Sequence, residues 1–144
     1  MGIVRFLLGV SLGLALMPQM ALAKKAVMAG VTAYDCKQTS GSENLMSKRF
    51  IIIRHTATNE IEVIDGLINY LYKKPIKAEV RTDTAQRLEI RWVVPNVPLH
   101  GTATTGRATF SVVFQKSTQA YTQGVDLAGF DNNEISGGSC TLLH

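Results

Sequence analysis

Ile76-Lys77-Ala78-Glu79-Val80-Arg81-Thr82-Asp83-Thr84-Ala85-Gln86-Arg87-Leu88-Glu89-Ile90-Arg91-Trp92-Val93-Val94 decides the fold class. In its first arm Ile76, Ala78 and Val80 alternate with Lys77, Glu79 and Arg81; in the second, Leu88, Ile90 and Trp92 alternate with Arg87, Glu89 and Arg91. A period of two sends alternate side chains to opposite faces of an extended chain, so each arm predicts a strand with one buried and one wet face. The polar break between the arms makes the pair a hairpin. Charge then selects the register. Pairing centred on Thr84 would set Glu79 against Glu89 and Arg81 against Arg87, and like charges directly opposite are unfavourable. Centring on Ala85 gives Asp83–Arg87, Arg81–Glu89 and Glu79–Arg91, with Val80 opposite Ile90 and Ala78 opposite Trp92 on the buried face. The predicted loop is Thr84-Ala85-Gln86.

The same period extends to both sides. Val31 to Lys37 reads as a first strand, and Thr39 to Asn44 is loop chemistry. Arg49 to His55 carries Phe50 and Ile51-Ile52-Ile53, and after a turn at Thr58-Asn59, Glu60 to Ile64 points Ile61 and Val63 inward. One segment changes period. Asp65 can cap a helix, and Leu67, Ile68, Leu71 and Tyr72 recur at helical spacing until Pro75 stops it. Beyond the hairpin, Pro95 and Pro98 end the strand. Arg107 to Gln115 alternates again with Ala108, Phe110, Val112 and Phe114 inward, a strand follows near Gln119 to Leu127, and a last one ends at Cys140. About eight short strands with one short helical turn predict a single antiparallel all-β domain, a sandwich or an up-and-down barrel.

The chain opens on Arg5, an apolar run from Phe6 to Met17 and the small-residue ending Ala21-Leu22-Ala23, the layout of a secretory signal peptide. The run is shorter than the roughly 20 residues a membrane-spanning helix needs. Residues 1–23 are therefore read as a cleaved leader and residues 24–144 as one β-domain, periplasmic or secreted, with no transmembrane segment in its mature part. Cys36 and Cys140, the two cysteines of the chain, lie 104 positions apart. In an oxidising compartment such a pair predicts a disulfide tying the first strand to the last. Cys36 follows Asp35 and lacks the small-residue context of a lipidated cysteine. Without Arg5, 14 Lys and Arg face 11 Asp and Glu, a net charge of +3 spread along the chain. A nucleic-acid binder would concentrate its charge, so nucleic acid is not an expected partner; a monomer is expected.

Motifs that resemble chemistry have plainer explanations. Gly9-Val10-Ser11-Leu12-Gly13 matches a hydrolase nucleophile elbow but lies inside the leader. Gly101 to Gly106 has phosphate-loop glycine spacing, but Arg107 and Ala108 replace its lysine and hydroxyl residue, and no helix follows. Glu60 and Glu62 share a solvated strand face, Asp131 and Glu134 flank a turn, and Asp65 suits a helix cap. His55, His100 and His144 lie far apart, none at metal-ligand spacing from a cysteine. No catalytic, metal or cofactor-binding set is nominated. Trp92 anchors the core, and with Phe110 and Phe114 is the candidate lining of a ligand cavity. Tyr34, Tyr70, Tyr72 and Tyr121 can each pack a ring and keep a wet hydroxyl.

Tyr34-x-Cys36, Val63-x-Asp65, Asp83-Thr84-x-x-Arg87-Leu88 leading to Trp92, and the closing Gly138-x-Cys140 together resemble small secreted proteins of Gram-negative alphaproteobacteria. That resemblance implies a periplasmic β-protein with one disulfide and no assigned activity. A looser similarity, through the Tyr-x-Cys opening, is to periplasmic inhibitors of c-type lysozyme. Those act through a Ser-, Gly- and Tyr-rich loop, of which Ser40-Gly41-Ser42-Glu43 keeps part, and a positive chain is a poor match for a basic lysozyme. The leading functional expectation is a non-enzymatic protein binding another protein or an envelope component through loops and strand edges. A lipocalin-like carrier of a small apolar ligand is the alternative, and an enzyme using two or more of His55, His100, Asp65 and Glu134 is the third.

Overall fold

A computed structural model of the chain describes residues 30–42, 44–99, 101–131 and 133–143. Residues 1–23, read from the sequence as a leader, lie outside the described residues, as do Glu43, His100 and His144. Eight strands follow one another: β1 (Val31–Gly41), β2 (Arg49–His55), β3 (Ile61–Asp65), β4 (Ile76–Asp83), β5 (Arg87–Pro98), β6 (Thr105–Gln115), β7 (Ala120–Leu127) and β8 (Asn133–Leu143). Each pairs antiparallel with the next, and β8 returns to β1, so the sheet closes into an up-and-down barrel. Of the two architectures the alternation allowed, closure decides for the barrel. It also corrects one expectation. A closed barrel has no free edge strand, so partners are left its loops and walls.

The alternation places the core. Ile61 and Val63 of β3, Leu88, Ile90 and Trp92 of β5, and Ala108, Phe110, Val112 and Phe114 of β6 all point into the barrel and are buried. Trp92 stacks on Phe110 with ring centroids 5.4 Å apart. Phe50 leans on Trp92 at 6.2 Å and meets Tyr121 edge-on at 5.0 Å, while Tyr34 tilts against Phe114 at 5.0 Å. The outer wall carries Lys37, Arg49, Lys77, Glu79, Arg91 and Arg107, the reverse of the apolar girdle that lipid demands of a membrane barrel. Among the described residues no helix is long and apolar enough to cross a membrane.

The single period change becomes helix α1 (Gly66–Tyr72), and Asp65 is its N-cap, accepting from the Ile68 amide at 2.7 Å. At the far end Lys73 takes a left-handed conformation and its N–H bonds Asn69 O at 3.1 Å. Ile68 is buried, so α1 helps cover one end of the barrel.

Cys36 and Cys140 face each other across the β1–β8 seam and form the predicted disulfide, with both side chains inside the barrel. Such a bond fits an oxidising, extracytoplasmic compartment. Gly138, two residues before Cys140, has its own reason for lacking a side chain. A Cβ there would sit 2.0 Å from the Lys37 carbonyl oxygen and 2.9 Å from the Tyr121 ring. The first obstacle is backbone and cannot rotate away. Gly138→Ala should therefore destabilise the domain by about 1–3 kcal/mol, as overpacking does. Thermal melting would show it; an unchanged melting temperature would mean that the seam can open without cost.

The hairpin register is half corrected. Glu79 faces Arg91 and Val80 faces Ile90 as predicted, but a bulge at Arg81 then slips the ladder, setting Thr82 against Glu89 and Asp83 against Leu88. A bulge bends and twists its strand. Val80, next to the bulge, keeps Ile90 as its partner but is 41% exposed instead of buried. The charges find other partners: Arg81 pairs with Glu79 at 2.8 Å and Arg87 with Glu89 at 3.1 Å, while Asp83 takes Arg54 of β2 and Lys116 after β6. Thr84-Ala85-Gln86 does lie between the strands, with the Thr84 amide donating to the Arg87 carbonyl at 2.9 Å. Three boundaries also move. β5 runs through Pro95 to Pro98 because a ladder irregularity between Val94 and Val97, with Asn96 at φ 61°, absorbs the missing proline donor. β1 reaches Gly41, and β8 continues past Cys140 to Leu143.

Candidate functional site

The helix end of the barrel is closed by the loop between β1 and β2. Gln38 holds both of the loop's ends, its amide N–H bonding the Lys48 carbonyl and its Nε2 the Ser42 carbonyl, each at 2.9 Å. Glu134 of β8 reaches the loop from the other side, accepting from Asn44 Nδ2 at 3.1 Å and the Leu45 amide at 3.3 Å. Met46 is thereby pressed into the core, where Ser136 Oγ donates to its sulfur at 3.2 Å. Ser47 bonds the Asp65 cap. Residues about 90 positions apart in the chain are thus locked together.

Burial alone would raise the Glu134 pKa, but hydrogen bonds from Ser42, Asn44 and the Leu45 amide outweigh it and hold the group below the ordinary range. A folded pKa below the unfolded one supplies stability above the usual glutamate range, near 4.3, that is lost as pH falls through the folded value. Glu134→Gln should therefore be less stable than the native chain at pH 7, with the gap narrowing as pH drops below about 4. A gap that stays constant in urea titrations down to pH 3 would contradict the role given to this carboxylate.

Three adjoining depressions surround this loop. One of about 400 Å³ is lined by Leu45, Leu99, Leu127 and Phe130, with Asn44, Thr102 and Glu134 at its border. A smaller one of about 220 Å³ continues under the loop past Met46, Leu67, Val97 and Pro98. The third, about 560 Å³, lies between Lys48–Ile51 of the loop and β2 and the stretch Ile64–Gly66, with Asn69 of α1. Phe130, 52% exposed, and Ile135, 63% exposed, are bare at this end. Large side chains left in water beside an apolar hollow are the usual mark of a contact surface.

The residues singled out from sequence are dispersed. His55 lies at the opposite end, bonded to Glu62 at 2.8 Å, and Glu60 pairs with Lys77. Asp65 is occupied as a helix cap; burial pushes its carboxyl above the ordinary range against the pull of the Ile68, Ser47 and Leu67 hydrogen bonds. Glu134 is tied to the loop, and Ser40 and Gly41 belong to β1 and not to a projecting loop. Trp92, Phe110 and Phe114 bury their rings in the barrel interior. Beside them Trp92 Nε1, Tyr121 Oη and Gln123 Oε1 make no hydrogen bond, and burial pushes the Tyr121 phenol up to about 12, so it stays neutral. Among the described residues no three of His, Cys, Asp and Glu converge as a metal site would require. Sequence reasoning passed over Phe130. The available signal was a large aromatic set among Gly129, Asp131 and Asn133, where turn chemistry calls for none.

Comparison with known proteins finds no matching family model, curated protein or solved structure.

Proposed function

We propose that this is an exported, non-enzymatic β-barrel domain that holds a protein partner of the cell envelope at its helix end. The observation that carries the reading is Phe130, half in water, lining an apolar hollow with Leu45, Leu99 and Leu127. An aromatic anchor beside a preformed apolar pocket is the arrangement that concentrates binding energy in protein interfaces. The leader-like residues 1–23, the buried disulfide and the resemblance to small secreted alphaproteobacterial proteins support the envelope setting. The surface favours this reading over a carrier. A carrier needs room beside Trp92, Phe110 and Phe114, and Trp92 and Phe110 already use their faces on each other.

A photoreactive phenylalanine analogue at position 130, compared with one at exposed Thr122 on the β7 wall, tests the proposal in the native host. A discrete protein adduct from position 130, absent from 122 and lost when Leu99→Asp is added, is the expected result. Equal labelling at both positions, or none at 130, would overturn it.

A further inference from the structure

On the outer wall of β4–β6, far from the disulfide seam, a groove of about 400 Å³ is lined by Lys77, Glu79, Arg91, Trp92, Val93 and Arg107. Its charge is unbalanced in a way the chain order hides. β4, β5 and β6 carry five cations and three carboxylates. Each carboxylate is already engaged: Glu79 by Arg81, Glu89 by Arg87, and Asp83 by Arg54 and Lys116. Lys77 shares Glu60 of the neighbouring turn. Arg91 and Arg107 are left over: both are exposed, and neither guanidinium makes a hydrogen bond, ion pair or ring contact among the described residues. Asp126, opposite Thr109 in the ladder, lines a separate depression with Phe130.

We propose that this groove is a binding site for a phosphate group, with Arg91 and Arg107 as its two forks and Lys77 as a third cation. Guanidinium forks match phosphate oxygens two at a time, and Arg91 and Arg107 stand on the same outer face of neighbouring strands. Val93 between them offers an apolar footing for whatever carries the phosphate. The site is independent of the helix-end surface, so either can fail alone.

Inorganic pyrophosphate is the first probe, titrated into the disulfide-bonded domain and followed by NMR. Saturable shifts at Val93, Arg91 and Arg107 are expected. Arg91→Gln with Arg107→Gln should weaken binding by about tenfold or more, the loss of charge-assisted hydrogen bonds, while Arg87→Gln on the same wall stays within about twofold. These side chains are exposed, and circular dichroism checks that the variants fold. Cosedimentation with phosphatidylglycerol vesicles, competed by pyrophosphate and absent with phosphatidylcholine alone, identifies a lipid headgroup as the source. Pyrophosphate binding without vesicle binding identifies a soluble phosphate ester. No saturable binding of either probe, or binding unchanged in the double variant, overturns the site.

Discussion

Replacing both cysteines, Cys36→Ala together with Cys140→Ala, should lower the unfolding free energy by about 4–5 kcal/mol, the value the chain-entropy treatment assigns to a loop of this size. The bond spans 104 positions and so constrains most of the domain when it unfolds. Its place makes the loss local as well as entropic. β1 and β8 are the first and last strands, and their pairing, from Ala33–Leu143 to Gly41–Ser136, closes the barrel. That pairing has the longest loop to close and forms at the greatest entropic cost. Urea unfolding of the native and double-alanine chains measures the difference. The native chain should also show the smaller denaturant slope, because its cross-linked unfolded state exposes less surface. A loss under about 1 kcal/mol would mean that hydrogen bonding and packing alone hold the seam.

Trp92→Ala should cost about 3–5 kcal/mol, the range for deleting a large buried aromatic. Only 2% of Trp92 is exposed, and its ring touches both Phe110 and Phe50, the latter linking it to Tyr121. The cavity left behind is walled by strands of a closed sheet, which collapse poorly. Trp92→Phe separates ring packing from polarity. The indole Nε1 is buried without a hydrogen bond, a state that costs about 1–3 kcal/mol, so a phenyl ring loses area but sheds that penalty. Its net cost should fall below about 1.5 kcal/mol. Equal losses for alanine and phenylalanine would assign Trp92 a role other than packing.

How much was legible in the chain depended on range. The β6 alternation, the Asp65 cap and the Cys36–Cys140 pairing rest on residue type and short periods, and each reads directly from sequence. The Arg81 bulge did not. Charge pairing between two strands predicted Arg81 opposite Glu89, but Asp83 is drawn to Arg54 of β2 and to Lys116 just after β6, both outside the hairpin. Pro95 looked like a strand end because a proline lacks a ladder donor, and nothing local announces the irregularity that absorbs it. Both surfaces share this origin. Leu45 and Phe130 meet only because the strands carrying their loops lie near each other around the barrel, and the charge that looks evenly spread gathers at Lys77, Arg91 and Arg107 once β4, β5 and β6 lie side by side.

A filled barrel that binds on its outside is most directly tested by native mass spectrometry of the protein taken from its own compartment. The expected species is a chain two hydrogens lighter than its reduced mass, beginning at Lys24 and free of any apolar small molecule. A stoichiometric apolar adduct that survives desolvation would contradict it, placing the ligand among Trp92, Phe110 and Phe114.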